Sequence, residues 1–287
     1  MTAKTAGQPG HAIWERLAGV LSCPLCAASL RPAAASLRCP AGHCFDIARQ
    51  GYASLLPGRR PRTADNAAMV GARAGFLAAG HFAPLATELS ALAARLCRSD
   101  GIAVEAGAGT GYYLARVLDE LPRAAGVALD SSPYALRRAA RAHQRLAAAA
   151  CDTWQGLPVS TGAADLLLNV FAPRNGAEFR RVLRPAGALI VVTPADEHLA
   201  ELRGLPGMPS VDPVKRQRTS QALSGYFSEQ HSAEISYQLE LSGPDVISLL
   251  TMGPSAHHVP DIAGLAGSLR LPLPVSASFQ LTVYQPR

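Results

Sequence analysis

The chain has 287 residues, 48% of them hydrophobic and 17% charged. This allows one large domain plus a small one and excludes a disordered or fibrous polypeptide. The formal charge is +6, and its excess sits at one end: residues 1–75 carry nine Lys/Arg against three acids, while residues 76–287 balance 18 against 18. A basic segment on a neutral domain suits a polyanionic partner, because each cation at a phosphate releases counterions. The plainer reading is a solvated surface.

No window offers about 18 apolar residues free of charge, so no membrane contact through a spanning helix is expected. The first residues, MTAKTAGQPGHA, are small and polar and lack the apolar core of a signal peptide, so residues 1–20 read as a flexible tail and the protein as cytoplasmic. In that reducing compartment six cysteines are thiols or metal ligands, not disulfides.

Residues 23–44 read CPLCAASLRPAAASLRCPAGHC. Cys23 and Cys26 form one short pair, and Cys39 with His43 or Cys44 forms a second. Two turns that each present two soft ligands can close a tetrahedral zinc site, structural because no open position remains for water. Spacing alone leaves His43 and Cys44 both in reach of the fourth position. Then FDIARQGYASLLPGRRPRTADN sets Phe45 and Tyr52 among Arg49, Arg59, Arg60 and Arg62, a composition able to stack on and neutralise RNA. Residues 21–56 are therefore expected as a zinc-binding, RNA-recognition module. Pro57, Gly58 and Pro61 mark a linker. Helices follow after an Asp65 or Asn66 cap and over Pro84–Leu96, so 57–100 reads as linker and helical connector.

From residue 101 strands and helices alternate: strands at 102–106, 125–130, 147–151, 164–170, 187–193, 232–240 and 276–284, and helices at 111–121, 133–145, 175–183, 195–203 and 244–251. Such alternation predicts a doubly wound, mostly parallel sheet. In GIAVEAGAGTGYYLARVL a strand ends at Glu105, and Gly107, Gly109 and Gly111 turn the chain at the sheet's carboxyl edge, where open α/β sheets bind ligands. The spacing G-x-G-x-G is tighter than the dinucleotide fingerprint. Asp130, ending the next strand, can accept from ribose hydroxyls. Glu105 would repel a pyrophosphate but can hold the amino-acid end of S-adenosylmethionine. Asp152 can meet the adenine amino group, with Trp154 close by. The methyl acceptor should lie beside LLLNVFAPRN. The element order is that of the α/β class I S-adenosylmethionine methyltransferase (Rossmann-like) fold, with an antiparallel last strand, and 101–287 is assigned to that domain.

The motifs CPLC…CPAGHCFDIARQGYASLL, AAMVGARAGFLAAGHFAPL, VEAGAGTGYY, NVFAPRN, LRPAGALIVVTP and DEHLAEL together resemble the 23S rRNA (guanine-N1)-methyltransferase family. GARAGFL and NVFAPRN resemble the branch that confers resistance to tylosin-type macrolides. The resemblance implies zinc ligands Cys23, Cys26, Cys39 and His43, with Cys44 a bystander. It places Phe82 where relatives carry a cofactor-proximal tyrosine, makes His198 a cofactor-proximal histidine, and puts Glu105 where an aspartate is usual. It implies methyl transfer from S-adenosylmethionine to N1 of a guanine in a 23S rRNA hairpin, with the N-terminal arginines on phosphates. Asn169 and Phe171, after the fourth strand, are our candidates for the base-positioning rim. Relatives also suggest a homodimer. His257 and His258 are further candidates. Two rivals are a small-molecule methyltransferase whose pocket the zinc module closes, and a zinc RNA-binding protein without activity.

Overall fold

The structure, a computed structural model, describes residues 11–58, 64–203, 222–253 and 261–287. Arg59, Arg60, Arg62, His257 and His258 lie outside the described residues. The N-terminal part begins with α1 (His11–Arg16), continues into a small antiparallel sheet of β1 (Arg31–Ala33), β2 (Ser36–Arg38) and β3 (Cys44–Asp46), and ends on β4 (Tyr52–Ala53). Two helices follow, α2 (Ala67–Ala78) and α3 (Ala83–Leu96). Asn66 starts α2: its Oδ1 accepts the N–H of Met69 at 3.0 Å, one of the donors that a helix start leaves unpaired.

The large sheet holds β5 (Ile102–Ala106), β6 (Ala125–Asp130), β7 (Leu146–Ala150), β8 (Ala164–Val170), β9 (Leu183–Pro194), β10 (Phe227–Leu241) and β11 (Leu273–Pro286). Its order is β10-β11-β9-β8-β5-β6-β7-β4. The strands from β4 to β9 pair in parallel, and β11 runs antiparallel to both β9 and β10, as the sequence predicts for the last strand. Helices α4 (Tyr112–Glu120), α5 (Pro133–Ala139), α6 (Gly176–Val182), α7 (Gly243–Met252) and α8 (Ile262–Gly267) complete the described set.

Two expected helices differ. α5 stops at Ala139, where three-residue turns from Arg141 to Arg138 and from Ala142 to Ala139 bring the chain round into β7. Residues 195–203 form turns and a short 3-10 helix, Ala200–Leu202, because the segment stays tied to β11: Ala195 donates to the Ser278 carbonyl at 3.0 Å and Leu199 to that of Ser276 at 2.7 Å.

The sheet is apolar on both faces, as a parallel sheet must be. One face packs Ala103, Leu166, Leu168 and Ile190 against α3, α4 and α7. The other packs Val104, Val127, Ala147, Leu167 and Leu189. No helix forms between β7 and β8, so this second face lacks part of its usual cover. The N-terminal part fills it: Ile13, Trp14, Leu17, Leu21, Leu30 and Leu37 join the same buried cluster. Backbone bonds fasten the join, from Ser22 N–H to the Pro158 carbonyl at 3.1 Å and from Ser160 N–H to that of Val20 at 2.8 Å.

Trp14 is 3% exposed in this shared core. Trp14→Ala is expected to cost about 3–5 kcal/mol of stability, read as a lower urea midpoint. A loss below about 1 kcal/mol would mean that module and sheet do not share a core.

Candidate functional site

Two knuckles build the metal centre. In the first, Ala27 takes a left-handed conformation (φ 59°) and its N–H returns to the Cys23 carbonyl at 2.8 Å; in the second, Gly42 does the same (φ 87°) toward Cys39 at 3.0 Å. The ligand atoms of Cys23, Cys26, Cys39 and His43 all lie within 4.8 Å of one another. A zinc tetrahedron with bonds of about 2.3 Å to sulfur and about 2.0–2.1 Å to nitrogen has edges of about 3.8 Å and about 3.5 Å. The structure has Cys26 Sγ to Cys39 Sγ at 3.7 Å, Cys23 Sγ to His43 Nδ1 at 3.5 Å and Cys39 Sγ to His43 Nδ1 at 3.4 Å. The donor set fits the metal. Cys44 is exposed and outside the group, so His43 takes the fourth position. Burial opposes ionisation of Cys39, but the hydrogen bond from backbone His43, and others from Cys26 and Ala41, bring it to about 7.

The second site lies at the carboxyl edge, where β5 has β6 on one side and β8 on the other, the switch point of an open sheet. Gly107 has φ 77°, and a Cβ there would stand 2.4 Å from that of Ala172. The loop after β5 and the loop after β8 thus touch backbone to side chain, which only glycine permits. Gly109 (φ 55°) donates its N–H to Asp130 Oδ2 at 2.8 Å, and Ser132 N–H reaches Asp130 Oδ1 at 2.8 Å. Gly111 caps α4, and its missing side chain makes room for Ala139 and Ala142.

Glu105 is 1% exposed, with Oε2 accepting from Leu114 N–H at 3.2 Å. Burial pushes its carboxyl up to about 8; the Leu114 bond opposes this and Asp130 adds to it. Burial also raises Asp130, against the pull of its two N–H bonds. Asp152 sits past β7 in a turn of its own making, its oxygens accepting from Trp154 N–H at 3.0 Å and Gln155 Nε2 at 3.2 Å. Trp154 is 68% exposed, a rim residue.

An aromatic wall faces this loop. The Phe82 ring is buried, with centroids 5.0 Å from Phe279, 6.1 Å from His198 and 6.4 Å from Phe171. Phe171 takes a left-handed backbone (φ 53°) and shows 42% of its surface, so the strain displays a ring at the crevice mouth. Asn169 is fully buried: Nδ2 donates to the carbonyls of Pro173 at 2.9 Å and Ala106 at 3.3 Å, while Oδ1 has no partner among the described residues. His198 Nδ1 accepts from Ser278 N–H at 3.3 Å, and burial lowers its pKa to about 4, so the ring is neutral and its Nε2 bears the proton.

Sequence reasoning missed three features. Arg73 on α2 reaches the Gly109 loop. The Tyr113 hydroxyl is buried without a partner among the described residues. Tyr134, Arg137, Arg138 and Arg141 line a concavity of about 540 Å3, and Arg138 continues into one of about 340 Å3 with Arg116. Net charge conceals the last, because acids elsewhere cancel these arginines in the sum. An R-R-x-x-R run after a capped Pro-Tyr start is the signal that could have found it.

Residues 21–63 match the zinc-ribbon family described as "RlmA, N-terminal". A Micromonospora griseorubida protein assigned as a 23S rRNA (guanine-N(1)-)-methyltransferase is 48% identical over 286 residues, covering 93% of this chain and 97% of that one. The 23S rRNA (guanine(748)-N(1))-methyltransferase of Streptomyces fradiae is 46% identical, covering 83% and 86%. YxjB of Bacillus subtilis, of the same assignment as the first, is 32% identical, covering 63% and 66%. The chain belongs to the 23S rRNA (guanine-N1)-methyltransferase family. It carries that family's structural zinc site as Cys23, Cys26, Cys39 and His43 on an α/β Rossmann-like methyltransferase core. Among the described residues no helix is long and apolar enough to cross a membrane.

The buried acid of this core makes a pH test. A glutamate that titrates at about 8 when folded, and at 4.5 ordinarily, holds its proton longer in the native state. Stability therefore falls as pH rises through that window and levels off above it. Glu105→Gln removes the effect: the cofactor-free variant should melt above the wild type at about pH 8.5, with the advantage fading toward about pH 4.5. A variant that melts below the wild type at the higher pH would show that a cation already compensates the carboxylate.

Proposed function

We propose that this protein transfers a methyl group from S-adenosylmethionine to N1 of one guanine in a 23S rRNA hairpin. The observation that carries the chemistry is the exposed Phe171 ring, held beside the glycine loop on backbone that buried Asn169 ties to Ala106. The crevice fits the cofactor: Glu105 suits an ammonium, Asp130 a ribose, Asp152 an adenine amino group, and the rings of Phe82 and Phe171 suit a sulfonium cation. When bound, S-adenosylmethionine supplies an electrophilic methyl group. Phe171 offers a stacking face to a guanine drawn out of its hairpin. Asn169, wholly buried, ties the Ala106 and Pro173 carbonyls together and so fixes the backbone that sets Phe171, and with it N1, against the methyl. His198 holds its proton on Nε2 and acts as a donor, not a base. Methyl transfer would break the sulfur–methyl bond as the N1–methyl bond forms, leaving S-adenosylhomocysteine and releasing the N1 proton to solvent, with rate enhancement mainly from alignment.

RNA phosphates would lie along Arg137, Arg138, Arg141 and Arg116 as well as the N-terminal arginines, with Tyr134 available for stacking. The GARAGFL and NVFAPRN motifs and the likeness to the guanine(748) enzyme support a place in the macrolide-resistance branch, with the same guanine as target. The protein would then protect ribosomes from tylosin-type drugs.

Incubation with labelled S-adenosylmethionine and unmethylated 23S rRNA, followed by primer extension, should give one reverse-transcription stop, at the guanine named in the Streptomyces fradiae relative. N1 methylation blocks pairing, so the stop reports the atom as well as the base. Label in no RNA, with cofactor binding intact, would favour the small-molecule enzyme; no cofactor binding would favour the inactive RNA-binding protein.

A combined Arg137→Gln, Arg138→Gln, Arg141→Gln variant should weaken hairpin binding and lower the slope of log affinity against log salt by about one to three. S-adenosylhomocysteine affinity should not change. An unaltered salt slope would remove this groove from the RNA path.

A further inference from the structure

The sequence assigns α2 to connecting the zinc module with the sheet. In the structure the same helix lies against the crevice and presents Arg73 to the glycine loop. A Cβ on Gly109 would stand 3.7 Å from Arg73 Nη1 and 3.9 Å from its Cδ. The guanidinium is held in place: Nη1 donates to the Asp65 carboxylate, and Nη2 to the Met252 carbonyl on α7 at 2.8 Å. Asp65 is anchored in turn, its carbonyl accepting from Ser132 Oγ at 2.6 Å, directly behind Asp130. Among the described residues two of the five N–H donors of the guanidinium are engaged by these partners.

The local charges give the guanidinium a use. Glu105 and Asp130 both face the loop, and they suit the ammonium and ribose of a bound cofactor. An amino-acid end also carries a carboxylate, which two acids would repel. Arg73, paired with Asp65, is the cation set against the loop; it favours the ionised forms of Asp130 and Tyr113, although Asp65 acts on Asp130 more strongly in the opposite sense. The Tyr113 hydroxyl, buried and without a partner among the described residues, is a neutral donor in the same region.

We infer that Arg73 holds the α-carboxylate of the cofactor's amino-acid end, so that the connector helix completes the methionine subsite. This rests on the reading of the crevice as the S-adenosylmethionine site. It gives the GARAGFL motif a chemical role that chain connection alone does not require.

Calorimetry with two ligands separates this from a structural role. S-adenosylhomocysteine carries the carboxylate, whereas 5′-methylthioadenosine lacks the whole amino-acid end. Arg73→Met should weaken S-adenosylhomocysteine about tenfold or more and change methylthioadenosine by less than about twofold. Arg73→Lys should recover part of the loss. Equal losses for both ligands, or none, would overturn the inference and leave Arg73 as a tie between α2 and α7. Should Arg73→Met fail to fold, the wild type still decides: the α-carboxamide of S-adenosylhomocysteine should bind about tenfold more weakly than the acid, and equal affinity would overturn the inference. A wild type that binds neither adenosine ligand would overturn the cofactor reading itself, and this inference with it.

Discussion

A parallel sheet cannot leave either face to water, and that constraint organises this molecule. Helices α3, α4 and α7 meet it on one side. On the other, the chain runs from β7 to β8 without a helix, and the zinc-bound segment covers what remains. A module of this size cannot build a core by itself, and the sheet cannot close one without it. Leu21, Leu30 and Leu37 hang on the knuckle-bearing strands and turns yet pack on Val127 and Ala147 through a common cluster. Metal binding thus contributes to the folding of the whole domain and not to a separable finger.

The same sheet sets the chemistry of its edge. Strand order reverses at β5, so the loops after β5 and β8 diverge above one crevice, and the contact between Gly107 and Ala172 fixes how close they come. Into that space β5 delivers a buried acid, Glu105, and β6 a half-buried one, Asp130. Loss of solvent raises both, against the backbone N–H bonds that each accepts. A site of this kind is poorly satisfied when empty and suits a ligand that brings positive charge. An ammonium and a sulfonium meet that need; a pyrophosphate would aggravate it.

Much of this was legible in the sequence, for physical reasons that differ by element. The strands from β5 to β9 show as short apolar runs punctuated by glycine or by acids, so their order and the loop at Gly107 follow from local pattern. The zinc ligands follow from spacing, except that His43 and Cys44 are adjacent and only the fold turns one inward and the other out. Residues 195–203 misled because helix propensity was strong while the competing bonds to β11 are non-local. Local pattern carries no trace of β4 joining the large sheet beside β7, nor of a helical gap filled from far upstream, where Val20 meets Ser160. Arg73 was invisible as a site residue for the same reason: its partners, Gly109 and Met252, lie 36 and 179 positions away.

The position of α2 bears on how the two ligand surfaces relate. Arg73 stands on its crevice side, while Ala67 and Val70, in the first turns, line the arginine-rich concavity of α5. One helix is therefore a wall of both. Two bonds among the described residues tie it to the domain: the Asp65 carbonyl on Ser132, and Arg73 on the α7 carbonyl. A wall fastened at its start and its middle to separate parts of the domain offers one position, not two. Coupling between sites requires an element with two arrangements that the ligands bind unequally. With α2 fixed, cofactor and polyanion would add their binding energies side by side, and the helix serves to set the distance between them.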